Sequence, residues 1–205
     1  MVVSDVICPW CYVLKRRLDA AQQRLPVQNR FMVSWRPYEL NPDMPTEGMD
    51  RKAYRSEKFG SWDRSLALDA QVKAAAGPDI EFHHELMERT PNTFNAHRLV
   101  WWADRQGRQN EVVEALFNGY FVLGKDVGDL QTLAELASSA GLDKDQAWSF
   151  LRSDEGSSEV RAEELAAGRP DVRSVPTVRL GDRTLFSGAI DVADLESLLL
   201  RLQSE

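Results

Sequence analysis

Apolar positions change rhythm several times along the chain, and each change marks an element. Val2 to Ile7 is short and rich in β-branched residues, which suits a strand. From Pro9 to Leu25 the spacing turns helical: Trp10, Val13, Leu14, Arg17, Leu18, Ala21 and Leu25 recur near a period of about 3.6 residues. Pro9 suits the first helical position, where its missing N–H is no loss, so Cys8 becomes the N-cap and Cys11 lies about one turn further in. Pro26 ends that helix. Arg30 to Tyr38 then alternates, with Phe31, Val33 and Trp35 on one side and Met32, Ser34 and Arg36 on the other, which predicts a second strand. Asn41-Pro42-Asp43-Met44-Pro45 breaks regular structure.

From about Asp50 to Gly168 the pattern is almost wholly helical. One segment runs from Asn92 to Gly107 and holds the adjacent Trp101 and Trp102. Asp129 is a good N-cap for Leu130 to Ala140, with Gly141 as the stop. Asp143 and Gln146 predict a capping box. Another helix starts at Ser157 or Ser158 and closes at Gly168-Arg169-Pro170. Strand character returns at Val175–Leu180; Gly181-Asp182-Arg183 turns the chain and Thr184–Ser187 is the hairpin partner. Asp191 caps a last amphipathic helix carrying Val192, Leu195, Leu198, Leu199 and Leu202. The order is strand–helix–strand, a helical insert, then strand–strand–helix. Without the insert this is βαβ–ββα, an α/β arrangement with one mixed sheet. The boundaries expected are 1–45 and 170–205 for the sheet domain and 46–169 for the all-helical insert between the second and third strands.

Charge removes some function classes. The 25 basic residues are outnumbered by 32 acidic ones, a formal charge of −7, and no Lys/Arg stripe supplies the footprint of a nucleic-acid binder. No apolar run approaches the ~18 residues that span a bilayer, and the first residues lack the pattern of a secretory signal. No nucleic-acid or membrane partner and a cytoplasmic setting are expected.

The chemistry concentrates in two cysteines, Cys8 and Cys11, in an otherwise cysteine-free chain. A bridge across so short a loop constrains the unfolded chain little, so the pair reads as a tool rather than a staple. At a helix N-terminus, Cys8 meets unsatisfied N–H groups and the positive end of the helix dipole; both stabilise its thiolate, the form that attacks a disulfide. Cys11 is placed to resolve the mixed disulfide. Such a two-electron carrier needs no metal or organic cofactor. A zinc site needs about two more ligands, and only His83, His84 and His97 remain; His83 and His84 are neighbours whose side chains diverge. No metal is expected. Val175-Pro176 opens a strand where proline removes a ladder donor; taken alone this reads as a trans proline opening an edge strand, but beside the cysteine pair and the strand order a cis bond next to the site is favoured.

Ser4-Asp5-Val6-Ile7-Cys8-Pro9-Trp10-Cys11-Tyr12, Asn92-Thr93-Phe94-Asn95-Ala96-His97-Arg98 and Ser174-Val175-Pro176-Thr177 together resemble the DsbA-like branch of the thioredoxin superfamily, and within it the FrnE-like oxidoreductases. The resemblance implies a thioredoxin fold with a helical insert. It implies Cys8 as nucleophile, Cys11 as resolving cysteine and Pro176 as a facing cis-proline. It also implies substrate contacts from Pro9, Trp10, Val175 and Thr177, and from a segment carrying Asn95 and His97 that faces the cysteines. Two departures stand out: the first strand is short, and Asp171-Val172-Arg173-Ser174 replaces the usual glycine-rich approach to the proline. The expected activity is that of a disulfide oxidase, reductase or isomerase acting on protein or small-molecule thiols, its direction open. Glutathione is left open as a co-substrate, and a homodimer through the insert as an assembly. The competing readings are a glutathione-dependent isomerase related to 2-hydroxychromene-2-carboxylate isomerase and the kappa-class transferases, in which a serine generally stands at the place of Cys8, and a non-catalytic binder of aromatic ligands.

Other residues have plainer readings. Trp10 either shields the disulfide and meets a partner or simply packs. Asp5 is read as structural or capping, with proton transfer as the alternative. His97 is read as a capping or core histidine. Trp62, Trp101, Trp102 and Trp148 are expected in the core, and Glu163-Glu164 on a solvated helix face.

Overall fold

A computed structural model describes residues 1–167 and 172–203. The expected stop at Gly168-Arg169-Pro170 and the start of the approach at Asp171 lie outside the described residues. Four strands form one mixed sheet: β1 (Val2–Ser4), β2 (Trp35–Pro37), β5 (Thr177–Leu180) and β6 (Arg183–Ser187), in the order β2-β1-β5-β6. β1 runs parallel to β2 and antiparallel to β5, and β5 and β6 form the hairpin. The outer helices α1 (Pro9–Gln23) and α9 (Val192–Leu202) pack against each other.

Both early strands are shorter than the apolar pattern predicts, for different reasons. β1 ends at Ser4 because Asp5 turns the chain: its carbonyl accepts the Cys8 N–H at 3.0 Å and its carboxylate accepts the Ile7 N–H at 3.4 Å. β2 starts only at Trp35 because Trp35 is already opposite Val2, so residues 30–34 have almost no neighbour to pair with. Their alternation still reports sidedness, since Met32 is fully exposed while Phe31 and Val33 are partly buried against the core.

Between β2 and β5 lie α2 (Arg51–Phe59), α3 (Trp62–Ala76), α4 (Phe94–Arg105), α5 (Gln109–Phe121), α6 (Leu130–Ser139), α7 (Lys144–Leu151) and α8 (Ser157–Ala167). The stretch is not wholly helical: β3 (Met49–Asp50) and β4 (Arg89–Thr90) pair antiparallel at its entrance. Helix starts follow local chemistry. Asp129 accepts the Thr132 N–H at 2.8 Å and Asp143 accepts the Gln146 N–H at 2.8 Å. Gly141 takes the positive φ of 89° expected of a stop. Asp191 stands at the N-cap of α9 but makes no side-chain cap bond.

One apolar core runs from the sheet into the insert, with Leu14, Phe82, Leu99, Phe117 and Phe121 fully enclosed. Tyr12 of α1 stacks on Phe117 at 5.2 Å and ties the two regions together. Trp102 is buried as expected, whereas Trp148 is exposed, because the short α7 turns Ala147, Phe150 and Leu151 inward and leaves Trp148 under Arg152. Glu164 is also not a solvated residue: it accepts the Glu39 N–H at 2.9 Å and pairs with Arg161 at 2.8 Å.

Candidate active site

The cysteines sit where strand gives way to helix. Cys8 is the N-cap of α1, with Pro9 at the first helical position and no side-chain cap bond competing for its sulfur. The Cys8 carbonyl accepts the N–H groups of Cys11 and Tyr12, which starts the helix. Both cysteines are free thiols. Cys8 is 4% exposed and Cys11 fully buried. The Cys8 thiol donates to the Val175 carbonyl at 3.6 Å, and Val175–Pro176 is a cis peptide bond. The chain on either side of the insert therefore meets at one sulfur.

The two thiols are not equivalent. Burial pushes the Cys11 thiol well above the ordinary range, and its hydrogen bond to Cys8 pushes the same way; the Ser4 side chain and Asp5 backbone oppose this weakly. Cys11 thus stays protonated beneath Cys8.

Cys8 opens onto a cavity of about 350 Å³. One wall comes from Ile7, Pro9, Trp10 and Val175, the other from α2 and α3 through Tyr54, Lys58, Phe59 and Leu68. Trp10 is 37% exposed at this mouth. Two larger recesses, of about 490 and 510 Å³, contain neither cysteine.

Beneath the site, Asp5 is fully buried. One carboxylate oxygen accepts the Leu40 N–H at 2.7 Å; the other lies 3.4 Å from His97 Nε2 of α4. Burial works against a charge on His97, but the facing Asp5 carboxylate, with Glu39 and Glu164 behind it, outweighs burial and raises its pKa. Burial likewise raises Glu39, against its contact with Arg161. Asp5 and His97 therefore link the thiol loop to the insert, under the Leu40–Asn41 wall of the cavity.

Other expected contacts lie elsewhere. Asn95 accepts from Arg98 at 2.9 Å and does not line the cavity. Arg98 caps the carbonyls of Phe150, Leu151, Ser153 and Glu155, so much of the Asn92–Arg98 segment builds the insert. Thr177 is enclosed, its hydroxyl 2.6 Å from the Ser174 carbonyl and 2.8 Å from Ser187 Oγ, behind the cis bond rather than at the mouth. Sequence reasoning missed the wall from α2 and α3. The only local signal was Tyr54 and Lys58 four apart on one helix face, and nothing in the pattern ties that face to Cys8.

The sequence matches the DSBA-like thioredoxin domain over residues 1–200. The chain belongs to that family. This DSBA-like chain is 28% identical to the uncharacterized protein YwbO of Bacillus subtilis (strain 168), over 92% of this chain and 88% of YwbO. It superimposes on SCO1869 of Streptomyces coelicolor, named a probable DsbA oxidoreductase, with a TM-score of 0.87 at 28% identity, covering 100% of this chain and 89% of that one. A more distant structure, named the cytosolic disulfide reductase DsbM of Pseudomonas aeruginosa, aligns with a TM-score of 0.69 at 16% identity, over 100% of this chain and 98% of DsbM, and shares the fold. DsbM also has a structure with GSH. The mixed sheet and the helices around it are those of a DSBA-like thioredoxin fold. Among the described residues no helix is long and apolar enough to cross a membrane.

Proposed function

We propose that this chain is a thiol–disulfide oxidoreductase in which Cys8 attacks and Cys11 resolves. The observation that carries the reading is the asymmetry of the pair: two free thiols on one helix turn, Cys8 facing a cavity and Cys11 sealed beneath it. As a reductase, the Cys8 thiolate attacks one sulfur of a substrate disulfide and expels the other as thiolate. Cys11 then attacks Cys8, giving the Cys8–Cys11 disulfide and releasing the second substrate thiolate, which takes the Cys11 proton. Two electrons pass to the substrate; the reverse sequence makes the protein an oxidase. No metal or organic cofactor is needed.

The partners in this reading are protein or small-molecule thiols and disulfides, with glutathione as the thiol that regenerates the dithiol in a cytoplasmic setting. A fold shared with a protein named as a cytosolic reductase, also solved with GSH, is compatible with that choice. Pro9, Trp10 and Val175 border the entry to Cys8 and are assigned substrate contact; Pro176 holds the Val175 carbonyl against the thiol. The test is the rate at which the reduced protein cleaves the neutral small disulfide 4,4′-dithiodipyridine, read from the absorbance of the released thiopyridone. Activity lost in Cys8→Ser supports the reading; activity equal in Cys8→Ser and wild type refutes it.

A further inference from the structure

The cavity beside Cys8 is charged in a way the whole chain is not. The chain carries −7. Arg55 and Lys58 line the cavity against a single lining carboxylate, Asp69, leaving one positive charge, and Arg51 binds Asp69 from outside the lining. Arg51 and Arg55 are engaged, binding Asp69 at 2.6 and 2.8 Å. Lys58 is not. Its ammonium contacts only neutral oxygens, Asn41 Oδ1 at 2.6 Å and Tyr54 OH at 3.0 Å. Asp43 and Glu57 line a neighbouring recess that Lys58 also borders, and among the described residues no carboxylate stands within ion-pair distance of its ammonium. Much of the remaining lining is apolar, including Trp10, Phe59, Leu68 and Val72. At about 350 Å³ the space is at the small end for ligand sites and admits a small molecule, not a folded protein.

We infer that the disulfide reaching Cys8 through this cavity is a small anionic one, its carboxylate bound by the Lys58 ammonium and its aromatic or apolar body seated on Trp10, Phe59 and Leu68. This rests on the redox reading above. Three effects act together. A cationic patch with low-dielectric walls concentrates anions against the repulsion of an acidic chain. A carboxylate on an ammonium gains a charge-assisted hydrogen bond. The aromatic wall supplies apolar contact. The step is the one already written: the Cys8–S bond forms, the substrate S–S bond breaks, and after attack by Cys11 both substrate thiolates have left with the two electrons and the thiol protons.

The experiment mixes reduced protein with two aromatic disulfides and compares second-order rate constants. One is 5,5′-dithiobis(2-nitrobenzoate), which carries a carboxylate on each ring; the other is the neutral 4,4′-dithiodipyridine. Lys58→Gln is expected to lower the ratio of anionic to neutral rate by about tenfold at low ionic strength, the size of one charge-assisted contact. Lys58→Arg restores most of the ratio, and added salt shrinks it in the wild type. A loss shared equally by both disulfides, or an unchanged ratio, overturns the anionic preference while leaving the thiol chemistry standing. A reduced wild-type protein that reacts with neither disulfide overturns the redox reading, and this inference with it.

Discussion

Cys8 and Cys11 share a helix turn but not an environment. Cys11 has no route to a substrate and is held protonated by burial, so it acts only on a sulfur already bonded to Cys8. Cys11→Ser is therefore expected to keep the first attack and accumulate a mixed disulfide, seen as added mass on the intact protein. Cys8→Ser accumulates none, and the opposite pattern contradicts the assignment. His97 gives a second expectation at this scale. Its folded-state pKa lies above the ordinary 6.5, because Asp5 faces it. A raised pKa contributes stability that is complete below about pH 6.5 and is lost as pH climbs through the folded value. Urea unfolding of wild type and His97→Gln is expected to differ most at the acid end and to converge as pH rises; a difference that grows with pH contradicts the link. The cysteine pair stood out because Cys8 and Cys11 are the chain's only cysteines, and the cis bond at Pro176 was favoured only with that pair and the strand order beside it. Asp5 was read as structural or capping; its partners Leu40 and His97 are remote in sequence and no spacing predicts them. Lys58 was invisible for the same reason.

At the scale of elements, helix starts were the most readable features. Capping is settled by a side chain and an amide three residues away, and Asp129 and Asp143 both behave so. Asp129→Ala is expected to cost about 1 kcal/mol by urea denaturation. A loss under a few tenths means that solvent replaces the cap. Strand ends were less readable, since a strand stops where its neighbour stops; β2 begins at Trp35 because β1 begins at Val2. The β3–β4 pair was not readable at all: two residues per strand carry no alternation, and the pairing joins distant positions. Gly48 fixes that junction. Its φ is +69°, and a Cβ there would stand 2.7 Å from the Thr90 carbonyl oxygen, beside a residue that lines the cavity. Gly48→Ala is expected to cost more than about 1 kcal/mol, since both backbone and contact resist it. An unchanged midpoint would show that the junction yields freely.

For the whole molecule, the fold matters as the device that brings distant chain to one sulfur. The sheet supplies the strand before Cys8 and the cis turn that receives its thiol; the insert supplies the second wall of the cavity. A continuous core through Tyr12, Phe117 and Phe121 ties sheet and insert, so unfolding is expected as one cooperative transition, coincident by fluorescence and circular dichroism. The family resemblance in the sequence reached the architecture correctly because topology follows from element order, whereas the cavity depends on how the insert leans on α1, which element order does not encode. The most direct test of the account is the reduction potential of the Cys8–Cys11 pair, measured by equilibration in glutathione buffers with tryptophan fluorescence and thiol alkylation as readouts. The account predicts a reversible two-electron transition that vanishes in Cys8→Ser, its midpoint placing the protein as donor or acceptor against a cytosolic poise of roughly −220 to −320 mV. A pair that stays reduced or unreactive across every buffer ratio would contradict it.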